Sequence, residues 1–543
     1  MKKKLLPALI VTGLIILVVI IMGITALINK YTPTKKTEDL KEYFNISSDD
    51  EAALIVDNEL SDYKAKIIDK KIYVDYKFVH DSLNSRFYWD ANENVLLYTT
   101  ASDIISAAAD SNSYSVTKQT NDFGYPIVKA TSDSALIALD YVKQYSNITF
   151  KSYDDPARIV ITSKWDEIDS ATVSKSTQVR VKGGIKSPIL KEVKKDDKIT
   201  ILDSGDKWDK VATEDGVIGY IKRKALSESK KTKLTNPDYE EETFTHIKKD
   251  KDICLAWNQV TSQSANSKVP QVISSTKGIN VMSPTWFYLN DNNGNLADIA
   301  SKDYVSYCHS QGIEVWGLFS NFENTDVDAA YVLTHTSTRT TLINQIMSAA
   351  FNYELDGVNI DFENITEAAY GDSYIEFIRE LAIKCHNNGI SLSVDVTVPA
   401  SFNKFFNRSD MANFADYIVI MGYDEHYKGS DAGSVSSIPW VTEGVESTLK
   451  EVPADQIILG MPFYTRIWEL TPKEDDDAVT DTEDQSKYTV ASQVYSMDAA
   501  AAQLATNNAT AALDEESGQN YAEWSVSNKL YKVWLEDTTS LEK

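Results

Sequence analysis

Asp361 and Glu363 are the residues of this chain whose types and spacing best suit acid–base chemistry. They end a polar and apolar alternation over residues 356–363, which reads Asp-Gly-Val-Asn-Ile-Asp-Phe-Glu. Side chains alternate along a β-strand, so Asn359 would share one face with both carboxylates. Two carboxylates this close perturb each other's titration, and one can stay protonated at neutral pH and act as an acid. A structural capping or ion-pair cluster is the alternative interpretation.

The elements that would position these carboxylates alternate between buried strands and amphipathic helices, which is typical of repeated βα units. One helix is predicted at residues 374–387, with Gly389 as its stop signal. Strands are predicted at residues 253–257, 278–283, 313–319, 357–363, 391–398, 417–423 and 457–462. This rhythm indicates a (β/α)8 TIM barrel, with Glu363 at the carboxyl end of a strand, where barrel active sites are built.

Two motifs in these strands resemble those of family 18 glycoside hydrolases, the chitinase group. Residues 356–363 are similar to the family's Asp-x-x-Asp-x-Asp-x-Glu signature, and residues 420–424 (Ile-Met-Gly-Tyr-Asp) are similar to its Met-x-Tyr-Asp motif on the sixth strand. The subgroup that the chain resembles more closely is the spore-cortex and cell-wall N-acetylglucosaminidases, through residues 423–426, 460–464, 518–523 and 533–537. The resemblance covers nearly all of residues 244–543.

The resemblance implies substrate-assisted retaining hydrolysis, in which the acetamide of the sugar itself is the nucleophile. Glu363 would protonate the leaving oxygen and later activate water, while Asp361 would orient the acetamide. Tyr423 would hydrogen-bond the acetamide, and Asp424 would hold the sugar ring. No cofactor is implied.

Four other residues are candidate substrate contacts. Met421 shares a face with Tyr423 and would form a floor under the sugar, and Tyr464 belongs to a subgroup-like stretch. Asn359 lies on the face of the carboxylates, and Trp286 lies near a predicted strand end. Like the other tryptophans so placed, Trp286 is either a sugar platform or a core residue; the others are Trp257, Trp316 and Trp440.

Two departures from the family pattern affect the expected activity. Asn359 stands where the family usually has an Asp that tunes the partner of Glu363; an amide can hydrogen-bond Asp361 but cannot share its charge. The chain also ends at Lys543, soon after a predicted helix start at residues 538–540. With seven strands counted, we expect a barrel that is truncated before its eighth strand, in a fragment or as an open barrel with exposed strand edges.

Composition excludes some partners and cofactors. The net charge is −26, and no basic face of the kind that tracks a phosphate backbone is evident, so no nucleic-acid partner is expected. Three cysteines and six scattered histidines show neither a disulfide framework nor zinc-ligand spacing. We expect no metal and no cofactor, and a glycan as the ligand.

The first 30 residues predict a short cytoplasmic tip and a transmembrane signal anchor. The uncharged apolar run over residues 5–28 is long enough to cross a bilayer and longer than the apolar region of most cleaved signals, which remain the alternative. Lysines flank both sides of the run, so charge does not set the orientation. Few cysteines and the modules described next favour an extracellular C-terminal part, at the cell membrane of a Gram-positive bacterium.

Between this anchor and the barrel the sequence predicts four segments. Residues 31–48 are a tether, and residues 49–165 form an α+β module that resembles the stalk-like N-terminal domain of copper amine oxidases, in pattern only. Residues 168–228 are short strands broken by turns and resemble a bacterial SH3-like all-β barrel, which implies binding of a wall peptide or, alternatively, a plain spacer. Residues 229–243 are a linker, and residues 244–543 are the catalytic domain.

These expectations together describe a multidomain, membrane-anchored enzyme that cleaves β-1,4 bonds in N-acetylglucosamine-containing peptidoglycan. A non-catalytic wall-binding scaffold would keep the fold and the cleft without turnover. An enzyme for chitin oligosaccharides is the third possibility.

Overall fold

The computed structural model describes residues 5–363, 365, 370–473 and 484–543. The chain forms two compact units. The N-terminal unit comprises Met1–Trp89, Ala107–Tyr114 and Thr120–Glu241. The C-terminal unit comprises Asp90–Ser106, Ser115–Gln119 and Glu242–Lys543.

The chain begins with a single long apolar helix, Leu5–Tyr31, of 27 residues. Its side chains from Leu9 onward are exposed, and residues Leu9–Tyr31 are apolar and long enough to cross a membrane by length and composition. The three lysines at positions 2–4, which entered the prediction of its orientation, lie outside the described residues.

The N-terminal unit contains two sheets that share one hydrophobic cluster, in which Phe44, Ile55 and Val211 are buried. The first sheet has the order Thr149–Tyr153, Arg158–Thr162, Glu51–Val56, Glu59–Ile68, Lys71–Asp75, Ala135–Ala138 and Val128–Ala130, with helices Tyr76–Ser82 and Leu139–Tyr145. The second, antiparallel sheet has the order Ile189–Val193, Thr177–Arg180, Ile218–Lys222, Trp208–Thr213, Lys198–Asp203, Glu167–Thr172 and Lys230–Lys233. The cluster joins the two predicted modules; their stalk-like and SH3-like assignments stay predictions.

Both segments expected to be connectors contribute to this unit. Within the predicted tether, Thr37 bridges Ile189 and the helix Leu40–Tyr43 precedes the buried Phe44. Within the predicted linker, Lys230–Lys233 forms an antiparallel pair with a strand of the second sheet. These residues are therefore ordered parts of the unit.

The C-terminal unit is built on parallel strands that coincide in position with the seven predicted ones. They are β1 Leu255–Asn258, β2 Val281–Leu289, β3 Glu314–Ser320, β4 Gly357–Asp361, β5 Ser391–Thr397, β6 Tyr417–Met421 and β7 Ile457–Gly460. Each pairs in parallel with the next. In the described part of the chain β7 and β1 are not paired with each other, so the sheet is open between them; truncation as its cause stays a prediction.

Helices cover the outer face of these strands, and the main core lies between the two layers. Val358 and Ile360 of β4 are fully buried there against Phe377 and its neighbours, as their alternation predicts. These helices are Val269–Ser274, Lys302–Ser310, Ala329–Thr334, Thr336–Tyr353, Gly371–His386, Arg408–Phe414 and Ile438–Thr448. Two more helices, Met497–Thr506 and Thr538–Leu541, pack against the antiparallel sheet that follows β7.

After β7 the chain forms a separate antiparallel sheet that the sequence analysis did not predict. Its order is Tyr488–Ser496, Tyr464–Pro472, Lys529–Leu535, Gln519–Val526 and Ala512–Asp514. The strand of this sheet that comes first in the chain, Tyr464–Pro472, begins four residues after β7 ends. Tyr464 therefore lies close to the carboxyl ends of the parallel strands.

A segment far upstream also belongs to the C-terminal unit. The buried Asp90 accepts hydrogen bonds from the backbone N–H and the hydroxyl of Thr336, at 2.7 and 2.6 Å. Asp90 thereby caps the helix Thr336–Tyr353, whose own N-cap residue, His335, supplies no side-chain bond. That helix leads directly into β4. The strands along residues 87–122, which are divided between the two units, are Phe87–Asp90, Val95–Thr99, Ile104–Ala108, Ser113–Val116 and Gln119–Asp122.

Candidate active site

Strand β4 places the predicted carboxylates at its carboxyl end, inside the open barrel. Phe362 is buried on the helix side and stacks on Phe377 at 5.5 Å between ring centroids. Because side chains alternate along the strand, Asn359 and Asp361 point to the opposite, inner side. Glu363 follows two residues beyond Asp361 and is exposed at the mouth of the barrel. The structure thus brings together the residues predicted from the strand pattern.

Asn359 lies at the floor of this site with both ends of its amide fully bonded. Its Oδ1 accepts from Trp257 Nε1 at 3.0 Å and from Ser283 Oγ at 2.9 Å. Its Nδ2 donates to Ser393 Oγ at 3.0 Å and to Asp395 Oδ1 at 2.7 Å. An amide has two donors and two acceptor positions, and all four are used here. Asn359 was expected among the substrate contacts, but it is fully buried and instead positions its neighbours.

Asp361 has an unsatisfied oxygen that faces this network. Its Oδ1 is buried and has no hydrogen-bond partner among the described residues. Burial, and after it the charges of Asp395, Glu363 and Glu323, raise the pKa of Asp361 well above its usual value. A buried polar atom without a partner costs free energy, so this oxygen is available to a donor from a ligand, such as an amide N–H.

Glu363 is held by its backbone and has the electrostatics of a proton donor. Its N–H donates to Oδ1 of the buried Asn321 at 3.0 Å. Although the residue as a whole is exposed, desolvation of its carboxyl group, and after it the charges of Asp424 and Glu323, raise the pKa of Glu363. A carboxyl group with a raised pKa keeps its proton to a higher pH than usual and is therefore better suited to donate it to a leaving group.

Tyr423 presents a neutral hydroxyl beside the two carboxylates. Its ring meets Trp257 and Tyr464 edge to face, at 6.2 and 6.1 Å between centroids. Burial, and after it the charges of Asp395 and Asp361, raise the pKa of Tyr423, so the phenol stays protonated. The neighbouring Met421, at the end of β6, is buried; its role as a floor under the sugar stays a prediction.

Asp424 is fixed at the rim of the site by two donors. Its Oδ1 accepts from the Tyr464 hydroxyl at 2.7 Å and from Arg466 Nη2 at 3.2 Å. Its φ of 62° lies in the left-handed region, which costs a non-glycine residue some strain and often marks functional positions. Asp424 and Tyr464 thus lie together, and Arg466 joins them.

Trp286 does not lie in the site, contrary to expectation. It is fully buried, its Nε1 donates to Asn266 Oδ1 at 2.7 Å, and its ring packs on Tyr304 at 4.9 Å. Ser283 of the same strand donates a hydrogen bond to Asn359, so its side chain points into the barrel. Because side chains alternate along a strand, Trp286, three positions later, points to the opposite side, toward the helices. Its bulk belongs to the core between the sheet and the helices.

Sequence reasoning missed four residues of the site: Trp257 as a hydrogen-bond donor, Asn321, Asp395 and Arg466. Asp395 left a signal, because a carboxylate between Val394 and Val396 in a predicted buried strand needs a polar partner. Asn321 and Arg466 left none, since their roles depend on how neighbouring loops and strands meet. Among the described residues, no group of three His, Cys, Asp or Glu side chains is placed to hold a metal ion.

The sequence model of glycosyl hydrolases family 18 matches residues 319–543. The cortical fragment-lytic enzyme of Bacillus subtilis is 24% identical over 260 residues, which are 46% of this chain and 57% of that protein. The uncharacterized glycosylase YvbX of Bacillus subtilis is 25% identical over 194 residues, 33% of this chain and 55% of that protein. The chain thus spans little more than half the length of these two relatives.

Among solved structures, a chitinase from Chromobacterium violaceum superposes with a TM-score of 0.45 at 19% identity, over 53% of this chain and 87% of that one. The matched residues 319–543 include β4, β6 and the strand of Tyr464. They therefore hold Asp361, Glu363, Tyr423 and Asp424. Residues 319–543 are thus similar to glycosyl hydrolases family 18.

Proposed function

We propose that the C-terminal unit is a glycoside hydrolase that cleaves β-1,4 bonds beside N-acetylglucosamine by substrate-assisted retaining catalysis. The observation that carries the proposal is the convergence of Asp361, Glu363 and Tyr423 at the carboxyl ends of parallel strands, with one buried Asp361 oxygen that has no partner among the described residues. A ligand amide N–H is the kind of donor that would satisfy this oxygen.

In the first step, Glu363 donates its proton to the glycosidic oxygen and the bond between that oxygen and the anomeric carbon breaks. The carbonyl oxygen of the sugar's own acetamide forms the new bond to the anomeric carbon, which gives an oxazolinium ion. Asp361 accepts the acetamide N–H and stabilises the positive charge. The Tyr423 hydroxyl donates to the acetamide oxygen, and Asp424, held by Tyr464 and Arg466, binds the sugar hydroxyls.

In the second step, the ionised Glu363 takes a proton from water, and the water oxygen attacks the anomeric carbon from the face that the leaving group has vacated. The bond to the acetamide oxygen breaks, the acetamide is regenerated, and Glu363 is protonated again. Two inversions give net retention. A positioned general acid contributes about 10²–10⁴-fold to the rate.

The substrate we propose is peptidoglycan, reached from the outer face of the cell membrane. Support comes from the long apolar helix Leu5–Tyr31, which would be a single-pass anchor, and from a relative named as a cortical fragment-lytic enzyme. Residues 168–228, predicted to be SH3-like, would bind wall peptide. In this arrangement the membrane and the wall glycan are the partners of the protein.

The test is incubation of the full chain, in detergent, with purified peptidoglycan and separately with chitin oligosaccharides, followed by identification of the new reducing ends. We expect N-acetylglucosamine ends from peptidoglycan, and their loss with Glu363→Gln. Trp286→Phe, which changes a residue outside the site, is the matched control and should still release them. Cleavage of chitin oligosaccharides alone would replace the substrate, and wall binding without products would overturn the enzymatic proposal.

A further inference from the structure

Strand β5 contributes a second buried carboxylate to the catalytic centre. Asp395 lies in β5 and is 2% exposed. Its Oδ1 accepts from Asn359 Nδ2 at 2.7 Å, and its Oδ2 accepts from Trp257 Nε1 at 3.2 Å. A carboxylate in such a position is costly unless it is bonded and serves a purpose, because an apolar side chain would pack there without desolvation.

The register of the sheet puts Asp395 beside Asp361. Asn359 of β4 is the partner of Ser393 in β5, and Ile360 is the partner of Val394. The next positions along the two strands are Asp361 and Asp395. Asn359 reaches both Ser393 and Asp395 with its side chain, so positions 393 and 395 face the same inner side as the β4 carboxylate. Neighbouring strands lie about 4.8 Å apart, which brings the two carboxyl groups close together.

We infer that Asp361 and Asp395 share a single proton, and that this proton moves to Asp395 when Asp361 becomes the anion that stabilises the oxazolinium ion. The inference rests on the proposed function for the role of the anion, but the sharing itself needs no substrate. The transfer breaks the O–H bond of the Asp361 carboxyl group and forms one on Asp395, so the pair keeps one negative charge. Asp395 is a positioning residue in this scheme, because it acts through Asp361.

The electrostatics of the two groups agree with this geometry. Burial, with the charge of Glu363 after it, raises the pKa of Asp395 to about 7, although the bonds from Asn359 and Trp257 oppose the rise. Burial and then the charge of Asp395 raise the pKa of Asp361. Two buried like charges on adjacent strands repel, so the first proton of the pair binds readily and the second much less so.

The other ionisable groups that face the pair do not replace Asp395 in this role. Glu363 and Glu323 add negative charge and raise the pKa of Asp361 further. Tyr423 and Tyr374 face it as neutral phenols, because burial raises the pKa of both. The Tyr374 hydroxyl is buried with no hydrogen-bond partner among the described residues, so it donates to neither carboxylate.

The pair also gives a physical role to Asn359. An Asp at that position would itself be charged beside Asp361, whereas the amide here donates to a carboxylate on the next strand. Here the carboxylate is that of Asp395 on β5, and the Asn359 amide of β4 donates a hydrogen bond to it. Exchanging the two side chains should therefore return the carboxylate to β4 and preserve the shared proton.

The decisive experiment is a carboxyl ¹³C-NMR titration of the full chain, labelled at aspartate side chains, without substrate. The Asp361 signal is the one that disappears in Asp361→Asn. In the unsubstituted protein we expect Asp361 to titrate in two steps. In Asp395→Asn we expect Asp361 to titrate in one step. Its midpoint should lie about two pH units below the upper step of the unsubstituted protein, because a like charge at about 5 Å, with an effective dielectric constant of about 20, has been removed.

Two variants separate charge from packing. Ser393→Ala removes another bond to the Asn359 amide without changing charge, and we expect the wild-type curve. The exchange variant Asn359→Asp/Asp395→Asn should regain two steps, and should regain the kcat that Asp395→Asn loses. A one-step curve for the unsubstituted protein, or an unchanged midpoint in Asp395→Asn, would overturn the inference. A two-step curve in a protein without activity would instead refute the proposed function alone.

Discussion

Replacing Tyr423 by Phe removes one hydroxyl from the site and leaves its packing in place. The ring contacts with Trp257 and Tyr464, at 6.2 and 6.1 Å, do not involve the hydroxyl. That hydroxyl has no hydrogen-bond partner among the described residues, so no protein group is left unpaired by the change. The thermal midpoint should therefore stay close to that of the unsubstituted protein, and the kinetic effect should report the lost contact with substrate.

The size of that effect follows from the charge that develops on the acetamide. A hydrogen bond to a charged group contributes about 1.5–3 kcal/mol, against about 1 kcal/mol for a neutral pair. Since about 1.4 kcal/mol corresponds to a factor of ten in rate, kcat/KM should fall by about 10–150-fold. Most of the loss should be in kcat, because the bond strengthens as the acetamide attacks.

Tyr464→Phe is the matched comparison, since it removes a hydroxyl whose partner is known. Asp424 loses the 2.7 Å bond from Tyr464 but keeps the 3.2 Å bond from Arg466, so its carboxylate stays at the rim. We expect this variant to raise KM and to change kcat little. Initial rates on an N-acetylglucosamine oligosaccharide would measure both variants. A Tyr423→Phe enzyme with unchanged kcat would refute a role for this hydroxyl in the chemical step.

Three further predictions concern stability. Burial first, and then the bonds and charges around it, set the pKa of Glu536 at about 7. The folded chain therefore binds this proton more tightly than the unfolded chain does, and stability falls as pH rises from about 4.3 through 7. Glu536→Gln should reduce the difference between the unfolding free energies from urea denaturation at pH 5 and pH 8 by about 2–3 kcal/mol, and an equal difference in both proteins would contradict this prediction. Asp90→Ala removes the side chain that caps the helix Thr336–Tyr353 and should lower the free energy of unfolding by about 0.5–2 kcal/mol. Calorimetry should show a lower thermal midpoint, and an unchanged midpoint would mean that the cap contributes nothing to stability. Trp286→Phe leaves the buried Asn266 oxygen without its donor. The free energy of unfolding from denaturant titrations should fall by about 1–3 kcal/mol while KM stays unchanged. A raised KM would show that Trp286 contributes to substrate binding.

Much of strand β4 could be predicted because alternation is a local property. The pattern over residues 356–363 placed Val358 and Ile360 in the core and Asp361 on the inner face, and all three lie there. Alternation over the predicted strand 417–423 put Met421 and Tyr423 on one face; in the structure β6 ends at Met421, and Tyr423 follows it at the edge of the sheet where β4 also ends. Adjacent parallel strands end at the same edge, so strand order and alternation together brought these groups into one site.

Trp286 shows where this reasoning fails. Trp286 lies near the end of a predicted strand, a position that suits either a sugar platform or a core residue. The register of β2 with β1 and β3 determines which side of the sheet Trp286 faces, and it faces the core. The antiparallel sheet after β7 was missed for a related reason. Its strands are half exposed and pair over long separations, so their local pattern is weak.

The sequence by itself determined which side chains could do chemistry and that they alternate on the inner face of a strand, because these properties depend only on residue type and on the two-residue period of a strand. The tertiary structure decided what those side chains meet. Asp395 and Trp257 reach Asn359 from strands that are 36 and 102 residues away, and Arg466 reaches Asp424 from another sheet. Such contacts depend on strand register and on the desolvation of each group, which are set only when distant segments pack together.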